Sequence, residues 1–410
     1  MPANEAKSLF ITYDGLLDPL GASQILPYLR AIAREEDQLH ILSFEKEERY
    51  RLGSDALRSQ FVGTSISWTP LIFTRDAGLL GKLWDLLRMH AGAVLIAACM
   101  RPSLVHSRGH APAQVGLLIK RLFGARLLFD FRGLWVDERV DKGGWRLANP
   151  WHRLQYHHYK RVERKLLQKA DHVVVLTEAV VPEVLRLGVP KRDRITVIPC
   201  CADFNHFQLV TSESRQVARC DIGIPEGSLV LGYLGSVGGM YLPERFLQLV
   251  ADAAEQYPHL QVAVLTPDTQ VFRELMLQVL PSQYHHIVHA RSADRDQVAR
   301  WLPAMDVLVS FIRPSYARIG ASPTKLAEAW ASGVPALCNR GVGDVATIVA
   351  ELDAGMVIDV DSDLEIQAAV DALPGLLANG GSRLRKAAQS RLSLDFAAER
   401  YLGIYRLLRT

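Results

Sequence analysis

Short apolar runs alternate with longer stretches in which apolar residues recur every three or four positions, and the alternation continues along nearly the whole chain. A short continuous apolar run reads as a buried strand, and the wider spacing as a helix with one buried face. In the first half, SLFITY, LHILSF, SLVHS, RLLFDF and HVVVLT read as strands, with LGASQILPYLRAIARE and APAQVGLLIKRLFG as helices between them. After ITVIPCCADFNHF the pattern restarts, and LVLGYLGS, QVAVLT, HHIVHA, DVLVSF, PALCN and GMVIDV read as the strands of a second set. The closing LDFAAERYLGIYRLLRT reads as an amphipathic helix. Strands alternating with helices build parallel sheets covered on both faces. The expected fold class is therefore α/β, with two Rossmann-like doubly wound domains and a boundary near 198–207. Such sheets bind ligands at the C-terminal ends of their strands, so functional residues are expected just after strands, facing a shared cleft.

Composition narrows the class. The chain has 410 residues, suited to two large domains, with 49% hydrophobic and 22% charged residues. A net charge of +3 gives no argument for nucleic acid. The opening MPANEAKSLFITYDG leads into a strand without the basic start and apolar run of a signal peptide. The longest apolar stretch, AGAVLIAACM at 91–100, is too short to span a bilayer. Five cysteines, Cys99, Cys200, Cys201, Cys220 and Cys338, show no metal-site spacing and suit a reducing cytoplasm. Cys200 and Cys201 read as buried thiols at a strand end.

One stretch carries the sharpest chemistry, GASPTKLAEAWASGVPALC at 320–338. Ser322 suits a helix N-cap, Pro323 the first helical position and Gly333 a left-handed C-cap. Lys325 then falls in the first turn, where the helix dipole already places positive charge. A phosphate or diphosphate over the free amides of that turn would explain it, with Thr324 as a hydroxyl donor. Glu328, at i+4 from Thr324, could accept hydrogen bonds from ribose hydroxyls. A surface Lys325–Glu328 pair is the open alternative. LGYLGSVGGMYLPERF at 231–246 ends a strand at Gly235 and adds Ser236 and Gly238 before a helix, a turn that lets backbone approach a phosphate. Arg313 and Arg318 in FIRPSYARIG follow another strand and suit phosphate recognition, or are ordinary solvated arginines. Asp344 in CNRGVGDV is placed to cap the next helix.

Together with DGLLDPLGASQILPYL, FDFRGLWVDERVD, VVVLTE and VIPCCADFNHF, these segments resemble the family 4 glycosyltransferases over nearly the whole chain. That family has the GT-B fold and retains configuration at the transferred sugar. The resemblance implies an acceptor-side domain over 1–200, a nucleotide-sugar domain over 201–392, and a last helix, 393–410, that packs back on the first domain. It implies that Glu328 holds the donor ribose. The family's partner glutamate, which contacts the donor sugar ring, would fall at Gly320, so this sequence lacks it. The family's diphosphate-loop arginine is Ser236 here, and its lysine is not evident. Lys325, Arg313 and Arg318 are then the replacement cations, a pattern read as an SPTK-type subgroup. Gly21, beside Ala22, matches a glycine loop that approaches the reacting sugar and acceptor.

The block LLFDFRGLWVDERVDKGGW packs Asp130, Arg132, Trp135, Asp137 and Glu138 after one strand. Carboxylates that bind hydroxyls and indoles that cover sugar faces suit an acceptor site. Arg132 stands where many family members carry a histidine. It cannot act as a base because it keeps its proton, so it takes an electrostatic role, with Asp130 or Glu138 on the acceptor. His106 and His110 read as structural. The basic, aromatic segment 149–170 suits either a solvated helix face or contact with an anionic membrane.

The expected reaction moves a sugar from a UDP- or GDP-sugar to a glycan or lipid-linked acceptor, without a cofactor or metal. Surface polysaccharide synthesis in the cytoplasm, or at the inner face of its membrane, is the expected setting. A sugar-nucleotide epimerase of the same fold and a non-catalytic sugar-nucleotide binder are the alternatives.

Overall fold

The structure, a computed structural model, describes residues 6–74 and 78–409. The chain divides into two compact units, Met1–Pro199 with Ala397–Thr410, and Cys200–Phe396.

In the first unit seven parallel strands are ordered β3-β2-β1-β4-β5-β6-β7. They are β1 (Lys7–Thr12), β2 (Gln38–Glu45), β3 (Ile66–Ile72), β4 (Leu104–Arg108), β5 (Arg126–Asp130), β6 (His172–Val175) and β7 (Ile195–Val197). β4 and β6 are buried throughout, as strands covered by helices on both faces must be. Ile11 lies opposite Leu42 on one side and Ser107 on the other, which fixes the central register. The edge strands β3 and β7 are absent from the expected set. β3 contains Pro70, which only an edge strand tolerates, and β7 has three residues.

Two helical expectations need correction here. The helix expected over LGASQILPYLRAIARE is two helices, Pro19–Gln24 and Leu26–Ile32, broken at Ile25. Pro27 has no N–H to continue the ladder. The ten-residue run at 91–100 is the end of one 23-residue helix, Gly78–Met100. Its Leu80–Met100 portion is long and apolar enough, by length and composition, to cross a bilayer. Met89, Ala93, Ala97 and Met100 on this helix are core residues of the first unit. The last helix, Leu394–Arg409, is amphipathic as expected and buries Tyr401 and Tyr405, while Arg406 and Arg409 pair with Glu35 and Glu36.

The second unit carries six parallel strands in the order β10-β9-β8-β11-β12-β13. They are β8 (Leu229–Leu234), β9 (Leu260–Leu265), β10 (Val288–Arg291), β11 (Val307–Ser310), β12 (Ala336–Asn339) and β13 (Gly355–Ile358). All six expected strands are present. Alternation along β8 sends Val230 and Leu234 to one core and Leu231 and Tyr233 to the other. Trp330 fills the first of these cores, and Phe246 and Phe272 the second.

Candidate functional site

Strand order in the second unit reverses between β8 and β11, which are neighbours although the chain runs outward from each in opposite directions. A sheet of this kind opens a crevice at such a point, outside the strand ends. Two segments close around it. Gly235 follows β8 with φ +113°, and Gly238 and Gly239 are also left-handed, at +80° and +66°. The turn is pinned from several sides. The Tyr233 hydroxyl donates to the Ser236 carbonyl at 2.7 Å, and the Val237 N–H donates to Asp268 at 3.0 Å. Tyr241 bridges to Ile312, and the Arg313 N–H donates to the Met240 carbonyl at 2.7 Å. The glycine turn and the segment after β11 therefore form one rigid rim.

Helix Thr324–Ala331 aims its N-terminus at this rim. Lys325 is only 8% exposed, and its ammonium lies 3.7 Å from the centre of the Tyr241 ring and 5.7 Å from that of Tyr233. A Cβ on Gly235 would come within 2.9 Å of Lys325 Nζ. Only a glycine lets this cation stand against the turn. Burial pushes the Lys325 pKa down to about 7, against the opposing pull of Glu328 and Cys338. Burial likewise pushes Glu328 up to about 7, against Arg295 and Lys325. Cys338, at the end of β12, is pushed up to about 12 and stays a thiol. A buried cation and a carboxylate one helical turn apart, beside free helix amides and a glycine turn, make a place where an incoming anion restores lost solvation.

The other expected donor residues divide. Gly235, Ser236 and Gly238 are on the rim, with Ser236 exposed. Arg318 is buried, with Nη1 3.2 Å from Met240 Sδ. Arg313 is exposed and reaches the rim through its backbone. Thr324 is the first helical residue. Ser322 is not the N-cap. That position falls to Pro323, and the Ser322 hydroxyl instead accepts the Cys200 N–H at 3.1 Å. Gly333 does close the helix, at φ +75°, with Val334 N–H to Ala329 O and Gly333 N–H to Trp330 O. Asp344 sits at the next N-cap without a side-chain capping bond. Tyr241 is the residue that sequence reasoning missed. Its signal was an aromatic side chain inside a glycine-rich turn after a strand.

In the first unit the dense charges after β5 turn inward. Asp130 is 1% exposed. It accepts from Arg108 Nη1 at 3.0 Å and from the Tyr401 hydroxyl at 3.3 Å, with Arg132 Nη1 at 3.5 Å. Burial alone would raise its pKa, but Arg132, His106 and Arg108 outweigh it and hold the carboxyl well below the usual range. Asp137 is also buried, and accepts from the Tyr156 hydroxyl and the Lys160 ammonium, each at 2.9 Å. Glu138 pairs with Lys142 at 3.0 Å. Trp135 packs among His110, Trp145 and Tyr159, with the Arg139 guanidinium over its ring. These residues were expected on an acceptor. Asp130 and Asp137 tie elements together in the structure, and of the five residues Arg132, Trp135 and Glu138 keep partial exposure. Gly21 is required by packing: a Cβ there would lie 2.0 Å from the Gly15 carbonyl oxygen. Ala22 beside it is partly exposed. His106 and His110 are structural, bonded to Tyr405 and Glu163, and Cys200 and Cys201 are buried thiols.

Residues 22–201 match the glycosyl transferase 4-like domain. A D-inositol 3-phosphate glycosyltransferase of Corynebacterium urealyticum is 26% identical over 262 residues, covering 60% of this chain and 59% of that protein. One from Nocardioides sp. is 25% identical over 268 residues, covering 60% and 56%. The match thus spans less than two thirds of these relatives' length. Among solved structures, Anabaena HepE in complex with UDP and glucose superposes with a TM-score of 0.69 at 15% identity, covering 98% of this chain and 100% of that one. WaaG, a glycosyltransferase involved in lipopolysaccharide biosynthesis, gives 0.69 at 16% identity, covering 97% and 99%. Residues 22–201 thus carry a glycosyl transferase 4-like domain, and the two doubly wound sheets are those of the GT-B fold.

Proposed function

We propose that the chain is an enzyme that transfers a hexosyl group from a UDP- or GDP-sugar to a hydroxyl of a glycan or lipid-linked acceptor, with retention at the anomeric carbon. The observation that carries this reading is the Lys325 ammonium standing against Gly235 at the mouth of the glycine turn, on the first turn of its own helix. A diphosphate there meets a cation and free amides at once, and Glu328 one turn along is placed for the ribose. The acceptor oxygen bonds to the anomeric carbon as the bond from that carbon to the diphosphate breaks. The electron pair leaves with the diphosphate, and the acceptor proton passes to a departing phosphate oxygen. Preorganised amides and cations lower the barrier by meeting charge as it develops. Lys325, with Arg313 and Arg318 nearby, supplies this in the reading, which gives no step to a metal ion.

HepE has been seen with UDP-glucose, which supports a nucleotide-sugar donor here. A role in surface polysaccharide assembly, at the cytoplasmic side of the membrane, belongs to the same proposal and draws on the likeness to WaaG. The test is purified protein with radiolabelled sugar nucleotides and lipid or glycan acceptors. A glycoside is expected. An epimerised nucleotide sugar, or binding without turnover across a broad panel, would overturn the reading.

A further inference from the structure

Helix Gly78–Met100 has two apolar faces with different surroundings. One is committed to the sheet through Met89, Ala93 and Ala97. The other is open: Leu80 is 77% exposed, Leu95 67%, Trp84 56%, and Leu83 and Leu87 just over half. Positions 80, 84, 87, 91 and 95 follow the three-to-four spacing of one helical stripe, and 91 is an exposed alanine. Lys82, exposed on the same helix, stands about half a turn round from this stripe. Isolated surface leucines are ordinary, but a continuous stripe of this size marks an interaction surface.

A second apolar group lies in the same helix layer. Helix His110–Phe123 packs against Gly78–Met100 on one side and against Pro150–Lys169 on the other. Helices Gly78–Met100 and Pro150–Lys169, which lead back to β4 and β6, both start at the C-terminal edge of the parallel sheet, so their first turns share that edge. At the second of them Leu147, Trp151 and Leu154 are exposed, interleaved with exposed Arg146 and Arg153. The acidic residues nearby are Asp141 and Glu138, the latter paired with Lys142.

We infer that this helix layer of the first unit docks on the surface of an anionic lipid bilayer, with helix Gly78–Met100 lying in the plane of the interface. The chemistry selects this occupant. Leucines supply apolar burial, Trp84 and Trp151 suit the boundary between headgroup and acyl chain, and Arg146 and Arg153 meet anionic headgroups. A second copy of the chain fits less well, because a twofold interface would set the same basic residues against each other. Spanning is excluded for the folded unit, since Met89, Ala93, Ala97 and Met100 of this helix are part of its core. The inference does not rest on the proposed transfer reaction.

The experiment is co-sedimentation of the full chain with vesicles of equal parts phosphatidylglycerol and phosphatidylcholine, and with phosphatidylcholine alone. The wild type is expected to bind the anionic vesicles, less so as salt is raised. The double variant Leu83→Glu, Trp84→Glu should lower the partition coefficient by about tenfold or more. Both residues are exposed, and circular dichroism checks that the fold is kept. Arg146→Glu with Arg153→Glu should remove the preference for anionic vesicles. Transfer to a water-soluble acceptor, assayed in parallel, should be unchanged in the Leu83 and Trp84 variant, which separates this test from that of the reaction. Absence of wild-type binding to either vesicle, or equal binding by the Leu83 and Trp84 variant, would overturn the inference. So would a concentration-dependent dimer that the same variant dissolves.

Discussion

Lys325 is held buried at a cost, and that cost gives the site a pH signature. Its pKa of about 7 means that near neutral pH the empty protein is a mixture of charged and neutral lysine. A diphosphate beside the ammonium favours the charged form and moves the pKa upward. Nucleoside diphosphate binding slightly above neutral pH should therefore take up a proton, measured as a buffer-dependent binding enthalpy in calorimetry. Lys325→Met should abolish that dependence, weaken binding and flatten its response to salt. The stability linkage has two opposite signs. An unfolded lysine keeps its proton up to its ordinary value near 10.5, so the Lys325 contribution rises with pH between about 7 and that value. The Glu328 pKa is raised, so its contribution is full below its ordinary value of 4.5 and is lost as pH rises through about 7. If Glu328 holds ribose hydroxyls, Glu328→Ala should lower donor affinity by about tenfold or more, the value of a hydrogen bond to a charged group. Unchanged affinity in a titration would remove the assignment.

At the scale of elements, two glycines that look alike in sequence do different work. Gly21 lies where helix Pro19–Gln24 presses on the backbone of Gly15 and Leu16, which cannot move aside. Gly21→Ala should destabilise the first unit by about 1–3 kcal/mol or more, read from the urea midpoint. Gly235 faces the end of a flexible lysine. Gly235→Ala should leave much of the fold but displace Lys325, and appear chiefly as lost nucleoside diphosphate affinity. Strands and helices were legible because their patterns are local: β8 to β13 follow from apolar runs, and Gly333 from the cap chemistry of one turn. What was not legible depends on partners from elsewhere. Asp130 and Asp137 read as ligand contacts because, apart from Arg132 beside Asp130, the side chains that tie them down are remote in sequence. Their partners arrive from other elements, Arg108 from 22 positions away, Lys160 from 23 and Tyr401 from 271. The place of Lys325 in a first helical turn was legible for the converse reason, since its conflict with the helix dipole is local.

At the scale of the whole molecule, the chain leaves the first unit at Pro199 and supplies it again from Ala397 onward. Asp130 is where that return is secured: one buried carboxylate joins β5 to Arg108 at the end of β4 and to Tyr401 of the last helix. Its pKa is depressed, so the stability it contributes is present above the ordinary aspartate value of about 4 and is lost as pH falls toward the depressed one. Asp130→Asn removes the charge and leaves the guanidiniums of Arg108 and Arg132 without their buried partner. Breaking such a pair from one side costs about 3–5 kcal/mol. The loss should be confined to one unit. Hydrogen exchange should show faster opening in β4, β5 and the last helix, while β8, β9 and β11 keep their protection. The acid limb of the first unit's unfolding should flatten in the variant, because the group that titrates there is gone. Equal loosening of both units would show that the carboxylate supports more than the return of the last helix.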